Sequence, residues 1–184
     1  LFSFFTLDPP CILFALASAC HLLNWVDDIG IIANEVFMSR LFGLVENSSS
    51  SSARCCLEAI GLLNDILSSF VTSPQLSVVV FVFERVNKLL AVLAGNVVKS
   101  SDETTLVFAS KLLLCVAAFV HKQLHRLDLK KLTTLPSFFS VLFNLTCTPV
   151  IERELSLHAS CLSIWHNLLN LAFKKHYEGL FLMN

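Results

Sequence analysis

The chain has 184 residues, and its 13 Lys and Arg against 14 Asp and Glu give a formal net charge of −1. Proteins that bind nucleic acids normally carry a basic excess, so this balance disfavours that class. Hydrophobic residues make up 55% of the chain, which holds only five Gly and five Pro. This composition excludes a disordered chain, collagen and turn-rich all-β folds.

The cysteines and the first residues indicate the cellular context. An odd count of seven Cys must leave one unpaired, so we expect small buried thiols in a reducing compartment. The chain begins with Leu1, and residues 1–7 lack the basic flank and the cleavage site of a signal peptide. We therefore expect residues 1–184 to be a partial segment of a larger protein.

A mean hydropathy of +0.71 raises the alternative of a polytopic membrane protein. Residues 9–26 and 132–151 contain no Asp, Glu, Lys or Arg and are long enough to span a bilayer. Elsewhere Glu58, Lys88 and Lys111 fall inside predicted helices, where each would cost ~3 kcal/mol at the bilayer centre. The pattern favours helices that pack on each other in water.

The first three predicted helices span 9–26, 34–46 and 52–70. The first begins with Asp8 as an N-cap and Pro9 at the first helical position. The third shows apolar residues every three or four positions with polar residues opposite, which is typical of an amphipathic helix. Its apolar side holds Cys56, Ile60, Leu63, Leu67 and Phe70, and its polar side holds Arg54, Glu58, Asp65 and Ser69.

The fourth predicted helix spans 74–94. Residues 77–83 (SVVVFVF) have the propensity of a strand, but the three-four spacing of apolar residues continues through them and predicts a helix. We expect Gly95 and Asn96 to end this helix with a left-handed cap. Glu84 and Lys88 are placed for an i,i+4 ion pair.

The last three predicted helices span 102–126, 130–147 and 150–177, the fifth beginning after Ser101. Acidic residues lie at the starts of the fifth and seventh and basic residues at their ends, as the helix dipole favours. The seventh is expected to bury one stripe and expose another. The buried stripe would be Leu155, Ala159, Leu162, Leu169 and Ala172, and the exposed one Arg153, Ser156, Ser160, Ser163, Asn167, Asn170 and Lys174.

The odd-numbered helices begin near residues 9, 52, 102 and 150, in steps of about 43 to 50 residues. These steps are close to the roughly 40 to 47 residue period of HEAT-like repeats built from helix pairs. The sequence therefore predicts an all-α fold, a HEAT-repeat-like α-solenoid of about seven helices in antiparallel hairpins.

Residue combinations typical of catalysis are weak in this chain. His121 and His125 have the i,i+4 spacing of zinc-binding pairs, but the HExxH glutamate is missing and no third ligand has a suitable spacing. His158 with Cys161 could form a thiol nucleophile, although Cys and His in apolar helices more often fill a core. We expect a non-enzyme with no cofactor and no metal.

Two tryptophan-containing segments resemble the exportins of the importin-beta (karyopherin) superfamily. Residues 16–26 (LASACHLLNWV) are similar to an exportin helix that ends in LLNW, and residues 161–168 (CLSIWHNL) are similar to an exportin CLxxWxxL helix. Residues 119–127 are similar to the exportin helix that precedes a short basic or polar step. The resemblance covers about residues 10–177.

This resemblance implies a shuttling carrier rather than an enzyme. Such a receptor would bind protein cargo together with the GTP form of Ran, pass nucleoporins, and move between nucleus and cytoplasm without membrane insertion or nucleic-acid binding. The chain is most similar to the exportins that carry profilin and actin, and the exporters of leucine-rich signals are the alternative. The Ran-binding repeats would lie outside this chain, and Trp25 and Trp165 are expected to be structural anchors.

The even-numbered helices are expected to line a concave face that contacts partner proteins. The charged residues assigned to that face are Glu35, Arg40, Glu84, Arg85, Lys88, Lys130 and Lys131. The alternative for each of them is an ordinary solvated surface position. For the whole chain, the alternatives are the polytopic membrane protein and a helical-repeat scaffold unrelated to transport.

Overall fold

A computed structural model describes residues 9–23, 35–46, 53–69, 76–99, 102–129 and 131–181. Within these ranges every element of regular structure is helical, which confirms the all-α class. The helices are α1 (Pro9–Leu23), α2 (Glu35–Glu46), α3 (Ala53–Ser69), α4 (Leu76–Lys99), α5 (Glu103–Lys122), a 3-10 turn (Leu124–Arg126), α6 (Leu135–Thr146), α7 (Pro149–Arg153) and α8 (Leu155–Phe181).

The helices pack in two series that follow their order in the chain. In the first series α1 packs on α3, α3 on α5, and α5 on α8. In the second series α2 packs on α4, and α4 on α6. The two series meet where α2 contacts α3, α4 contacts α5, and α6 contacts α8. The inner helices α3, α4 and α5 therefore have neighbours on two sides. Because of these neighbours, each of them can bury a wide apolar surface.

Phenylalanine side chains join the two series at the centre of the core. The ring of Phe83 on α4 lies 6.2 Å from that of Phe119 on α5 and 5.4 Å from that of Phe138 on α6. All three side chains are at most 1% exposed. Offset and tilted ring pairs at these distances add to the stability that burial itself supplies.

The predicted stripe of α3 is confirmed over the residues that the structure describes. Cys56, Ile60, Leu63 and Leu67 are buried, and Phe70 lies outside the described residues. A second stripe of α3 is buried as well, because this helix packs on both α1 and α5; it consists of Cys55, Ala59, Leu62 and Ile66.

The prediction that α4 ends at Gly95 and Asn96 is wrong. The helix continues to Lys99, and none of the described glycines has a positive φ. The added turn buries Val97, which is 1% exposed, and this burial outweighs the weak helix preference of a single Gly. The strand-like residues 77–83 lie inside α4, so the helical prediction for them is confirmed.

The fifth predicted helix is correct at its start and too long at its end. Asp102 rather than Ser101 is the N-cap, and its carboxylate accepts a 2.8 Å hydrogen bond from the Thr105 N–H. At Gln123 the α-helix gives way to the 3-10 turn. This tighter turn places Leu124 and Leu127 in the core, with 0% and 2% exposure.

The two predictions for the last helices also need correction. Helix α6 begins at Leu135, five residues later than expected, where Pro136 occupies a first-turn position that needs no N–H donor. The predicted helix 150–177 is divided into α7 and α8 by Glu154, whose φ of −89° and ψ of 90° are not helical. The carbonyl of Glu154 then accepts from the His158 N–H and so starts α8.

The predicted buried stripe of α8 is wrong. Leu155, Leu162 and Leu169 are 81%, 51% and 55% exposed, and Ala159 and Ala172 are exposed too. The residues that α8 buries are Leu157, Cys161, Ile164 and Leu168. Because apolar residues cover about two thirds of the circumference of α8, the sequence is compatible with either stripe, and contacts with α5 and α6 decide between them.

Among the described helices, α5 is the one that is long and apolar enough to cross a membrane. Its position between α3 and α8 gives another reason for its composition, since seven of its side chains are buried against other helices. Its Lys111 is half-buried, and the ammonium donates a 3.3 Å hydrogen bond to the Leu57 carbonyl of α3.

Candidate functional site

Three charged side chains join α2 to α4, and we call them the Glu46 cluster. Glu46 ends α2, and its two carboxylate oxygens each accept a 2.9 Å hydrogen bond from Nη1 of Arg85. The Lys88 ammonium, one turn further along α4, lies 2.9 Å from the same carboxylate. The predicted pair between Glu84 and Lys88 is therefore wrong, because Lys88 reaches across to α2.

Aromatic rings hold the arginine of the Glu46 cluster in place. The Arg85 guanidinium carbon lies 5.3 Å from the centre of the Phe81 ring, within the range of a cation–π contact. Phe81 in turn meets Phe42 of α2 edge to face, with ring centres 6.1 Å apart. A planar guanidinium fixed on one side by a ring and on the other by a carboxylate keeps its orientation, which favours recognition of a partner.

Exposure differs strongly within the Glu46 cluster. The Glu46 side chain is 15% exposed, that of Arg85 30% and that of Lys88 58%. One carboxylate pairs with two cations, so the cluster has a net formal charge of +1. Lys88 is its most exposed charged group. Lys88 can therefore donate a hydrogen bond to, or form an ion pair with, an acidic group on a partner.

Of the residues predicted for the partner face, Arg85 and Lys88 belong to the Glu46 cluster, and the others that the structure describes lie at several places on the surface. Glu35 and Arg40 line a shallow depression of about 350 Å³ on α2. Glu84 is exposed on α4. Lys131 lies in the turn before α6, not on a helix, and its ammonium is 3.5 Å from the Asp128 carboxylate. Lys130 and Trp25 fall outside the described residues.

A cleft of about 380 Å³ lies beside the Glu46 cluster, between α2, α3, α4 and α5. Glu46 and Lys88 line it together with apolar side chains, among them Leu57, Leu89, Val92 and Phe108. Neither this cleft nor Glu46 was predicted from the sequence. Its walls come from four helices, and Glu46 and Arg85 are 39 positions apart, so no local spacing could bring them together.

Trp165, the predicted anchor that the structure describes, is half-buried between α8 and α6. Its indole stacks on Phe139 with ring centres 6.0 Å apart and planes 14° from parallel. The indole N–H donates a 3.1 Å hydrogen bond to the Thr146 hydroxyl, which itself donates to the Leu142 carbonyl. Both the apolar and the polar parts of Trp165 thus hold α8 on α6.

Cys161, the thiol considered for nucleophilic chemistry, lies in the core, as does Cys115, for which no such role was predicted. Burial raises the pKa of Cys115 to about 12, and burial raises that of Cys161 to about 11 against a smaller lowering by the hydrogen bond with Thr146. Such thiols are protonated at neutral pH and react slowly as nucleophiles. His121 and His125 are exposed, and within the described ranges no three His, Cys, Asp or Glu side chains are grouped to hold a metal ion.

A scan against known protein families, a search of curated proteins and a search of solved structures each find no match to this chain.

Proposed function

We propose that this chain is a segment of a HEAT-like α-solenoid and that its second helix series, α2, α4 and α6, binds other proteins. The observation that carries the proposal is the order of packing, in which α1, α3, α5 and α8 contact one another in sequence and α2, α4 and α6 do the same. Stacked helix pairs give this order, since each pair contacts mainly the pairs before and after it.

The charges on the second series support a protein ligand. The Glu46 cluster offers an oriented Arg85 and an exposed Lys88, while Glu84 offers a negative charge on the same helix. Interfaces between proteins are enriched in arginine and use complementary charges to select a partner. The neighbouring apolar cleft gives a partner side chain a place to be buried.

In its specific form, the proposal is a nuclear export receptor. This part rests on the resemblance of residues 16–26 and 161–168 to exportin helices, together with the packing order of the helices. The receptor would bind protein cargo, such as profilin with actin, cooperatively with Ran-GTP, and would pass nucleoporins as it shuttles between nucleus and cytoplasm. Such a receptor would itself supply no catalytic group, cofactor or metal.

The test of export is a pull-down with the full-length protein and purified Ran loaded with GTP or with GDP, in the presence of profilin–actin. We expect capture of Ran in its GTP form and stronger capture of cargo when Ran-GTP is present, because the two ligands would bind cooperatively. Equal capture of the two nucleotide forms, or none, would refute export and leave a helical-repeat scaffold.

Charge reversals on α4 test the binding face itself. Lys88→Glu removes the exposed cation of the Glu46 cluster, and Glu84→Lys reverses its exposed neighbour. We expect each to lower cargo capture by about tenfold, the effect of losing a contact of roughly 1.4 kcal/mol. The matched control is Glu58→Lys, an exposed reversal on α3 in the first helix series. If Glu58→Lys lowers cargo capture as much as Lys88→Glu and Glu84→Lys do, the cargo does not bind the surface formed by α2, α4 and α6.

The alternative of a membrane protein is favoured by one observation, the length and apolar composition of α5. Alkaline carbonate extraction of membranes from expressing cells separates the two hypotheses. A spanning protein stays in the membrane pellet, whereas a helical-repeat protein is found in the supernatant. Retention in the pellet would refute the solenoid.

A further inference from the structure

Helix α8 carries a second apolar surface opposite the one that it buries, and we call it the α8 seam. Four of its large side chains, Leu155, Leu162, Leu169 and Phe173, are between 51% and 81% exposed. Together with Ala159 and His166 they recur at alternating spacings of four and three residues. This is the spacing of a two-helix coiled coil, with leucine at every d position.

The α8 seam differs from the other exposed apolar residues of this protein because it forms a continuous line. The inner helices α3 and α5 each bury an arc of roughly 160°, taking 100° per residue, and each packs between two neighbours. The apolar arc of α8 is wider, roughly 240° by the same measure, but its buried part is limited to the line of Leu157, Cys161, Ile164 and Leu168. The exposed part of the apolar arc, the α8 seam, has the residue spacing and the apolar side chains of a surface that packs against another helix.

We propose that α8 pairs with α8 of a second copy of this chain, in antiparallel orientation, to form a homodimer. A two-fold axis at the level of residue 164 places the α8 seam of one copy against the α8 seam of the other. Leu155 then lies opposite Phe173 of the partner, and Ala159 opposite Leu169. In the central layers Leu162 packs beside His166. Each layer combines a smaller with a larger side chain, as antiparallel coiled-coil layers require for close packing.

The charges of α8 also favour pairing with itself. Residues 155–173 contain no Asp, Glu, Lys or Arg, so two copies can approach without like-charge repulsion. The positions beside the seam, Ser156, Ser163 and Asn170, are small polar residues that remain hydrated at the edge of an interface. A two-fold contact of this kind uses the same surface on both copies, which is the commonest symmetry of soluble dimers.

The area of the seam is near the lower limit for a stable complex. If the four large side chains contribute on the order of 100 Å² each, and Ala159, His166 and the polar residues beside the seam supply the rest, each copy buries about 600 Å². The total of about 1,200 Å² is at the lower end of the range for specific protein–protein interfaces. We therefore expect a reversible dimer rather than an obligate one.

Sedimentation equilibrium over a range of concentrations tests the proposal. The unmodified chain should dimerise below about 100 µM. Leu162→Lys and Leu169→Lys should each weaken dimerisation by roughly 100-fold, because the interface would bury an unpaired charge. His166→Leu should strengthen it by removing a polar ring from the central layer. Both lysine variants alter side chains that are at least half exposed, and circular dichroism verifies that they fold.

The matched control is Phe14→Lys, which changes a 77% exposed apolar residue on α1, outside the α8 seam. It should leave the dissociation constant unchanged. A monomeric unmodified chain at these concentrations would overturn the proposal, as expected if a different helix of a longer protein covers the seam. A dimer that persists in both lysine variants, or is lost in the Phe14→Lys control, would overturn it equally.

Spin labels test the antiparallel orientation. Ser156→Cys and Ser163→Cys are labelled in a variant whose Cys11, Cys20 and Cys147 are replaced by Ser, and distances between copies are measured by double electron–electron resonance. In the antiparallel dimer the labels at 156 should be roughly 15 Å further apart than those at 163, given the 1.5 Å helical rise. Equal distances at the two positions would overturn the proposed pairing.

Discussion

Replacing Phe83 by Ala removes the ring that joins α4, α5 and α6. Phe83 is fully buried and contacts the rings of Phe119 and Phe138 at centre distances of 6.2 and 5.4 Å. Loss of a buried Phe side chain costs about 3 to 5 kcal/mol of unfolding free energy. For a chain of this length that corresponds to a fall in melting temperature of roughly 6 to 20 °C.

The assay is urea unfolding followed by far-UV circular dichroism, with the melting temperature as a second measure. Phe143→Ala is the control, because Phe143 lies on α6 and is 60% exposed, so its loss should cost less than about 1 kcal/mol. If Phe83→Ala does not fold, Phe83→Leu keeps most of the volume and should cost about 1 to 2 kcal/mol through the lost ring contacts. Equal effects at positions 83 and 143 would refute the core described above.

Three other substitutions or titrations give independent tests of the packing. Trp165→Ala should destabilise the chain by about 2 kcal/mol or more, whereas Trp165→Phe should lose mainly the hydrogen bond to Thr146, about 1 kcal/mol, both measured by urea unfolding. The buried side-chain oxygen of Asn87 has no hydrogen-bond partner among the described residues, so Asn87→Leu should raise stability by about 1 kcal/mol in the same assay. Burial raises the pKa of Cys115 to about 12, and the unfolded chain therefore loses that thiol proton at a lower pH than the folded one. The unfolding free energy should accordingly fall as pH rises above about 9. In Cys115→Ala this fall should be less steep, by up to about 1.4 kcal/mol per pH unit. If the substitution leaves the pH dependence of the unfolding free energy unchanged, the Cys115 thiol is accessible in the folded state.

The sequence predicted the helices well where local signals and core contacts agree. The starts of α1, α3 and α5 were predicted to within one residue, because a proline or a capping residue precedes an apolar stripe at each start. The helix at residues 77–83 followed from the spacing of apolar residues despite their strand propensity. In α3 the exposed Arg54, Glu58 and Asp65 mark one polar side, so the pattern there leaves one choice of exposed side.

The errors arose where several alternatives satisfy the local pattern. The end of α4 is decided by burial of Val97, and the tight turn after α5 by burial of Leu124 and Leu127. On α8 the apolar arc is wide enough for two stripes, and only contacts with α5 and α6 select the buried one. These outcomes depend on tertiary packing, which overrides the weak signal of a single Gly or of helix propensity.

The candidate site was predicted in part. Arg85 and Lys88 were assigned to the partner face because they are charged residues on an even-numbered helix. Their shared partner Glu46 was missed, since a contact across 39 positions has no local signature. The position of Glu46, a charged residue at the end of α2, was the one available signal. The arrangement of the Glu46 cluster therefore comes from the fold.

Hydrogen exchange of the chain in detergent-free buffer tests most directly whether its apolar helices cover one another. If α5 is packed between α3 and α8, backbone amides of residues 109–120 should exchange more slowly than those of residues 169–174, whose side chains are mostly exposed on α8. Protection of residues 109–120 that develops only when detergent or lipid is added, with fast exchange in buffer alone, would contradict the packing on which the proposed function rests.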